Sequence, residues 1–234
     1  MGRHLTTIGF DADDTLWQNE QFFRLTEQRF AALLADHASP ETISGHLLDV
    51  ERRNLQFYGY GIKGFTLSMI ETALTLTGGK VPTTAIAEIL SAGREMLTHP
   101  VETLPHVRDT LEQLSGDYRL VLITKGDLFD QERKLAQSGL GDYFTAVEIV
   151  SEKSAATYAQ IFTRHGDGAE RAMMIGNSLK SDIVPAIAAG SWGVFIPHAL
   201  TWALEHSEAP ADSPRFRELQ DLSQLHSLIM EIEQ

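Results

Sequence analysis

The feature of this sequence that most constrains its fold is a regular alternation of short apolar runs with segments of helical periodicity. The apolar runs lie at residues 5–10, 120–123, 146–150, 172–175 and 193–196. Segments whose apolar residues recur at helical spacing stand before and between the last four runs. Strands and helices that alternate at this spacing are typical of βαβ units. We therefore predict an α/β fold, a Rossmann-like, doubly wound, mostly parallel sheet with helices on both faces.

A long segment between the first two predicted strands has only helical periodicity. Four groups of apolar residues at helical spacing occupy residues 17–99, and turn signals separate them at 39–40, 59–64 and 78–79. The sequence therefore predicts two domains. Residues 1–16 and 100–234 form an α/β core, and residues 17–99 form an inserted all-helical domain.

One turn segment, residues 59–64, reads GYGIKG and so matches the glycine pattern of dinucleotide-binding loops. That pattern binds a dinucleotide only when it follows a strand, and residues 47–57 have a helical pattern. We interpret the segment as a loop of the helical insertion. Tyr60 and Lys63 in this segment, and Tyr58 just before it, are either substrate contacts or ordinary loop residues.

Composition excludes several classes of function. The chain of 234 residues has no cysteine, which excludes disulfides, thiolate nucleophiles and thiolate-based zinc sites. Lys and Arg number 19 against 32 Asp and Glu, for a formal net charge of −13. Since no basic cluster is present, we expect neither nucleic acid nor a membrane as partner.

The sequence also allows predictions about cellular location and lipid modification. No apolar run has the length of a membrane span or of a signal sequence, so we expect a cytoplasmic protein. Residues 1–6 fit a loose myristoylation pattern, but the strand predicted from Leu5 argues against lipidation. The sequence leaves the oligomeric state unknown.

Polar side chains follow four of the predicted strands. They are Asp11, Asp13 and Asp14; Thr124, Lys125 and Asp127; Ser151, Glu152 and Lys153; and Asn177, Ser178 and Asp182. Because ligands of parallel sheets bind outside the carboxyl ends of the strands, we expect these groups to converge on one crevice. Paired carboxylates, a hydroxyl and a lysine suit a phosphoryl group, and oxygen ligands favour Mg²⁺.

These segments resemble the four motifs of the haloacid dehalogenase superfamily of phosphohydrolases and their relatives. The run DADDTL at residues 11–16 matches the first motif, DxDx[TV]. Thr124 matches the second motif, Lys153 the third, and residues 176–182 the fourth. The insertion at residues 17–99 resembles the helical cap of the subfamily, called C1, that contains the haloacid dehalogenases. In that subfamily the cap closes over the crevice and determines substrate selectivity.

The resemblance implies a Mg²⁺-dependent phosphatase that acts on a small phosphorylated metabolite through an aspartyl phosphate. The implied catalytic residues are Asp11 as nucleophile, Asp13 as acid and base, and Lys153. The phosphoryl group would be held by Thr124 and Lys153, with Lys125 either a further contact or a surface charge. The implied metal ligands are Asp11, Asp13 through its backbone carbonyl, Asn177 and Asp182.

Some alternatives stay open at this point. Asn177 stands where many relatives have Asp, so it contributes no charge to a metal site and Asp182 becomes more important there. Asp182 is either a metal ligand or the group that orients Lys153. A metal-independent 2-haloacid dehalogenase is disfavoured because the dehalogenases of the family lack the second aspartate, here Asp13. A phosphomutase and a catalytically silent metabolite-binding module are the other readings.

Overall fold

The computed structural model describes residues 4–234. Residues 1–3, which belong to the predicted core domain and to the myristoylation pattern, lie outside the described residues. The described chain groups into two compact units. The first contains residues 4–18, Val101–Lys125 and Gln131–Gln234, and the second contains Asn19–Pro100 with Gly126–Asp130. The domain boundaries drawn from the sequence stay a prediction.

The second unit is helical. Its helices are α1 (Glu20–Leu33), α2 (Pro40–Tyr58), α3 (Ile62–Leu76) and α4 (Thr83–Thr98). The apolar faces expected from the periodicity form one core, in which Phe30, Leu47, Met69 and Ile89 are almost fully buried. The GYGIKG segment links α2 to α3, so a helix and not a strand precedes it.

The first unit is built on a parallel sheet, which confirms the predicted fold class. Its strands are β1 (Thr7–Phe10), β2 (Arg119–Lys125), β3 (Ala146–Val150), β4 (Ala172–Gly176), β5 (Trp192–Phe195) and β6 (Phe216–Glu218). They lie in the order β3-β2-β1-β4-β5-β6, and every described pairing is parallel. The short edge strand β6 was not predicted, because three half-exposed residues carry little periodicity.

Helices cover both faces of this sheet. They are α5 (Val107–Ser115), α6 (Leu128–Ser138), α7 (Ala155–His165), α8 (Val184–Ala188) and α9 (Leu225–Ile232). Alternate strand residues point to opposite faces. Leu120 and Leu122 therefore join the core formed with α5 and α9, whereas Val121 and Ile123 join the core formed with α7. No helix in residues 4–234 is long and apolar enough to cross a membrane.

The strand order determines where ligands can bind. Successive strands run outward from β1 on one side, and β4 then returns to the other side of β1, so the order reverses between β1 and β4. A crevice opens at such a reversal, outside the carboxyl ends of the strands. The backbone N–H of Asp11 still donates to the Ile175 carbonyl (2.9 Å), after which the chain turns through Asp14 at φ +60°. The acidic run thus begins where the crevice opens.

Candidate active site

Asp11 is the first residue beyond β1 and lies in a buried cluster of charges. Its Oδ1 accepts a hydrogen bond from Lys153 Nζ, and its Oδ2 accepts one from the Thr15 hydroxyl (3.2 Å). Lys153, 5% exposed, follows β3 and donates also to Asp182 Oδ1 (2.7 Å). Two carboxylates therefore share one buried ammonium group, which leaves an excess of negative charge.

The pKa values in this cluster follow from burial and from that excess charge. Burial, with the nearby charge of Asp182, raises the pKa of Asp11 to about 7, although Lys153 acts in the opposite direction. Burial by itself lowers the pKa of Lys153, but the two carboxylates outweigh it and raise that pKa above its usual value. Lys153 is therefore a permanent cation, whereas Asp11 needs further positive charge to be fully ionised near neutral pH.

Asp182 lies on a π-helical turn, Leu179–Ile183, which begins three residues after the end of β4. Its side chain is 1% exposed, and both of its oxygens are engaged by protein donors. Oδ1 accepts from Lys153, and Oδ2 accepts from the backbone N–H of Ser178 (2.9 Å). The turn thus holds the carboxylate against the lysine.

Asp13 lies two residues beyond Asp11, and its carboxylate is less buried, with the side chain 24% exposed. Its Oδ1 accepts from the Trp17 indole N–H (2.7 Å) and from Lys134 Nζ (2.5 Å). Its Oδ2 accepts from Gln131 Nε2 (2.8 Å). Three donors therefore determine the orientation of this carboxylate.

Thr124 and Lys125 end β2, but their side chains have different surroundings. Thr124 is buried, and its hydroxyl accepts from Gln131 Nε2 (3.2 Å). The Lys125 ammonium donates to the Ser181 hydroxyl and to Glu205 Oε1, both at 2.8 Å. Lys125, expected as a phosphate contact or a surface charge, is thus held by an ion pair with Glu205.

Glu205 belongs to a short 3-10 helix, Ala203–Glu205, in the segment after β5. Besides Lys125, its carboxylate accepts from the hydroxyls of Ser178 (2.6 Å) and Ser181. Burial by itself raises the pKa of Glu205, but Lys125 and the two hydroxyls hold that pKa below its ordinary value. The segment after β5 is therefore anchored to the fourth motif.

The side-chain amide of Asn177 lies beside oxygen atoms of Asp11 and Asp13. One end of its amide lies 3.1 Å from the Asp13 carbonyl oxygen and 3.3 Å from Asp11 Oδ2. With nitrogen at that end, the amide donates to both oxygens. With oxygen at that end, the Thr15 hydroxyl can donate to it (3.3 Å), and oxygens from Asp11, Asp13 and Asn177 lie together as the kind of donor set that a hard cation prefers.

This donor set fits Mg²⁺ in its chemistry, because Mg²⁺ uses one or two carboxylates with carbonyl oxygens and waters. Of its three oxygens, one comes from a carboxylate, one from a backbone carbonyl and one from a side-chain amide. Residues 4–234 contain no group of three or more His, Asp or Glu side chains placed to hold a metal.

The structure therefore brings most of the predicted residues together. Hydrogen bonds link Asp11, Lys153, Asp182 and, through Thr15, Asn177. A second group links Asp13 to Thr124 through Gln131. Sequence reasoning missed Gln131, Lys134 and Glu205. Gln131 and Lys134 stand three residues apart and so share one face of α6, a weak signal that any solvated helix also shows. Glu205 lies in an irregular segment with no motif.

The fold and the site define an α/β enzyme of the Rossmann-like class with a carboxylate-rich crevice at the sheet's reversal point. The family model described as "haloacid dehalogenase-like hydrolase" matches residues 5–190. The chain therefore belongs to the haloacid dehalogenase-like hydrolase family.

Individual relatives agree with this assignment. A haloacid dehalogenase-like family hydrolase from Xanthomonas campestris has 45% identity and a TM-score of 0.89, with 99% of this chain and 93% of that chain covered. The glyceraldehyde 3-phosphate phosphatase of Methanothermobacter thermautotrophicus is 26% identical over 96% of this chain and 100% of its own length. The L-2-haloacid dehalogenase of Xanthobacter autotrophicus, with chloropropionic acid covalently bound, shares the fold at 15% identity and a TM-score of 0.65, covering 97% of this chain and 98% of its own.

Proposed function

We propose that this protein is a Mg²⁺-dependent phosphatase that hydrolyses a small phosphorylated metabolite through an aspartyl phosphate on Asp11. The observation that carries the proposal is the pair of carboxylates after β1. Asp11 is buried against Lys153, whereas Asp13 is more exposed and held by separate donors. Two carboxylates in different environments suit a nucleophile and an acid–base group. The similarity to a glyceraldehyde 3-phosphate phosphatase supports a phosphorylated substrate.

The Mg²⁺ ion would be held by Asp11 Oδ2, the Asp13 carbonyl oxygen and the Asn177 side-chain oxygen. When bound, the ion supplies positive charge to the nucleophile and to the phosphoryl oxygens. We assign Asp182 to orienting Lys153, because its Oδ1 accepts directly from the Lys153 ammonium (2.7 Å).

In the first step, Asp11 Oδ1 attacks phosphorus and the bond from phosphorus to the leaving oxygen breaks. The leaving oxygen takes the bonding electron pair and receives the proton of Asp13 in its acid form, which releases an alcohol. Lys153, next to Oδ1, keeps the attacking oxygen in place and offsets the charge of the transferring group. The Thr124 hydroxyl donates to a phosphoryl oxygen.

In the second step, water attacks the phosphorus of the aspartyl phosphate while the Asp13 carboxylate takes a proton from that water. The bond between phosphorus and the Asp11 oxygen breaks, which releases inorganic phosphate and restores both carboxyl groups to their initial forms. Asp13 thus acts as an acid in the first step and as a base in the second, and it ends the cycle protonated as it began.

Asp13 also separates this proposal from its main rival. A 2-haloacid dehalogenase displaces halide, which leaves without a proton, so a second carboxylate held by three donors would have no function in that step. Asp13 Oδ1 and Oδ2 are instead fixed by Trp17, Lys134 and Gln131. No feature of the site favours the phosphomutase or the silent binding module over hydrolysis.

The test is a panel of small phosphomonoesters incubated with the protein, with Mg²⁺ and with a chelator. We expect phosphate release with Mg²⁺ and its loss with the chelator. Asp11→Asn should abolish turnover, whereas Asp212→Asn, an exposed matched control, should leave it unchanged. Phosphate release that survives Asp11→Asn would exclude the proposed nucleophile. Chelator-insensitive halide release from 2-chloropropionate, with an inactive phosphomonoester panel, would establish the dehalogenase instead.

A further inference from the structure

The helix α6 contributes two buried polar side chains that both donate to Asp13, and one of them, Gln131, also contacts Thr124. Gln131 is 3% exposed and Lys134 is 7% exposed, although both residue types usually lie at the surface. Lys134 donates to Asp13 Oδ1, and Gln131 donates to Asp13 Oδ2. Burial of such groups is costly unless they are paired, so their placement calls for a specific explanation.

The hydrogen bonds of Asp13 distinguish its two oxygens. A carboxylate oxygen has room for about two donors. In the described chain, Oδ1 has two, Trp17 and Lys134, whereas Oδ2 has one, Gln131. Oδ2 is therefore the oxygen with a free acceptor position, and it is the one able to exchange a proton with a substrate.

Gln131 also connects Asp13 to the phosphate-binding side of the site. Its Nε2 lies 3.2 Å from the Thr124 hydroxyl and 2.6 Å from the Lys125 carbonyl oxygen. Its Oε1 is buried and has no hydrogen-bond partner in the described residues. Buried amides normally form hydrogen bonds through both the oxygen and the nitrogen. Because the Gln131 oxygen forms none here, the contacts of its nitrogen better explain the orientation of the side chain.

We propose that Lys134 and Gln131 are positioning residues that hold Asp13 so that its Oδ2 faces the leaving oxygen of the substrate. This inference rests on the proposed function, because it assigns Asp13 the proton transfer to that oxygen. Lys134 fixes Oδ1 and so fixes the plane of the carboxylate. Gln131 aligns Oδ2 with the Thr124 hydroxyl, so that one amide sets the distance between the acid and the phosphoryl group.

The experiment compares two substrates that differ in their need for an acid. An alkyl phosphate has a poor leaving group and needs protonation, whereas 4-nitrophenyl phosphate releases a stable anion without it. We expect Lys134→Met to lower kcat/KM for the alkyl phosphate by about 100-fold, the lower range of general acid catalysis, and to change it little for 4-nitrophenyl phosphate. Lys134→Arg, which keeps a donor and the charge, should restore much of the loss.

Arg133→Met is the matched control, since it removes a cation from the adjacent position of α6, where Arg133 donates to Gln137 Oε1 (2.8 Å). Equal losses on both substrates would mean that Lys134 has only a structural role, and unchanged kinetics on both would also overturn the proposal. Gln131→Met gives the same test if Lys134→Met does not fold.

A second readout does not depend on activity. The indole N–H of Trp17 donates to Asp13 Oδ1, so its nitrogen–proton NMR resonance reports the orientation of that carboxylate. We expect it to shift in Lys134→Met and Gln131→Met and to stay in place in Arg133→Met. An unshifted resonance would refute the positioning role even in a protein without phosphatase activity, whereas an inactive wild type with the expected shifts would refute only the proposed function.

Discussion

The raised pKa of Asp11 has a measurable effect on stability when no divalent cation is present. The pKa of this carboxyl is about 7 in the folded protein against an ordinary value of 3.8. The folded state therefore binds a proton that the unfolded state has already lost, so stability is present at low pH and is lost as pH rises toward 7. For these two values, the contribution at pH 5 exceeds that at pH 8 by roughly 2.5 kcal/mol.

The perturbation that isolates this effect is Asp11→Asn, which keeps the shape of the side chain and removes its titration. Lys153 does not add to the difference, because its pKa is raised from a value of 10.5 and it stays protonated in both states over this range. Other titrating groups contribute equally to the pH dependence of the unfolding free energy of both proteins, so they largely cancel in the difference. We expect wild type to lose roughly 2.5 kcal/mol more unfolding free energy than Asp11→Asn between pH 5 and pH 8.

The assay is urea unfolding in the presence of a chelator, followed at several pH values. Saturating Mg²⁺ should then stabilise wild type at pH 8 and flatten its pH dependence, because a cation beside Asp11 favours the ionised form. Asp11→Asn should respond less to Mg²⁺. Parallel pH profiles of the two proteins in chelator would refute the reasoning, since they would show that Asp11 is ionised without help from a cation.

Three other substitutions test separate parts of the structure. Gly176→Ala would place a Cβ 2.2 Å from Asp182 Oδ2, so we expect lower thermal stability and a large loss of phosphate release. Glu205→Gln removes the charge that pairs with Lys125, and steady-state kinetics should show a lower KM for an anionic substrate with little change in kcat. Burial raises the pKa of Glu51 to about 8, so stability is lost as pH rises through that value, and Glu51→Gln should be more stable than wild type in urea unfolding at pH 9.

Much of the site could be predicted because its residues stand at the ends of strands or within a few residues of them. Asp11, Thr124 and Lys153 each follow an apolar run whose end is visible in the sequence. In a parallel sheet the carboxyl ends of all strands lie at one edge, so local pattern alone predicts that these groups converge. The helical insertion is equally visible, since its apolar residues keep helical spacing over four segments.

Other features depended on contacts between residues far apart in the chain. Lys134 reaches Asp13 across 121 positions, and Lys125 reaches Glu205 across 80. Neither pair could be predicted from a local pattern. A polar residue on a helix or in a loop has the same sequence context whether its side chain is solvated or forms an ion pair with a distant residue. The contacts of Asp182 with Lys153 and with the Ser178 N–H are likewise visible only in the folded structure.

The sequence by itself determined the α/β fold and the identity of the groups that follow its strands, because burial imposes periodicity on strands and helices. Only the tertiary structure decided how those groups are paired. Asp11 and Asp13 are both aspartates two residues apart, yet one lies buried against Lys153 and the other is held by donors from α6. Their different chemistry arises from burial and from neighbouring charges, which are properties of the folded arrangement and not of the residue type.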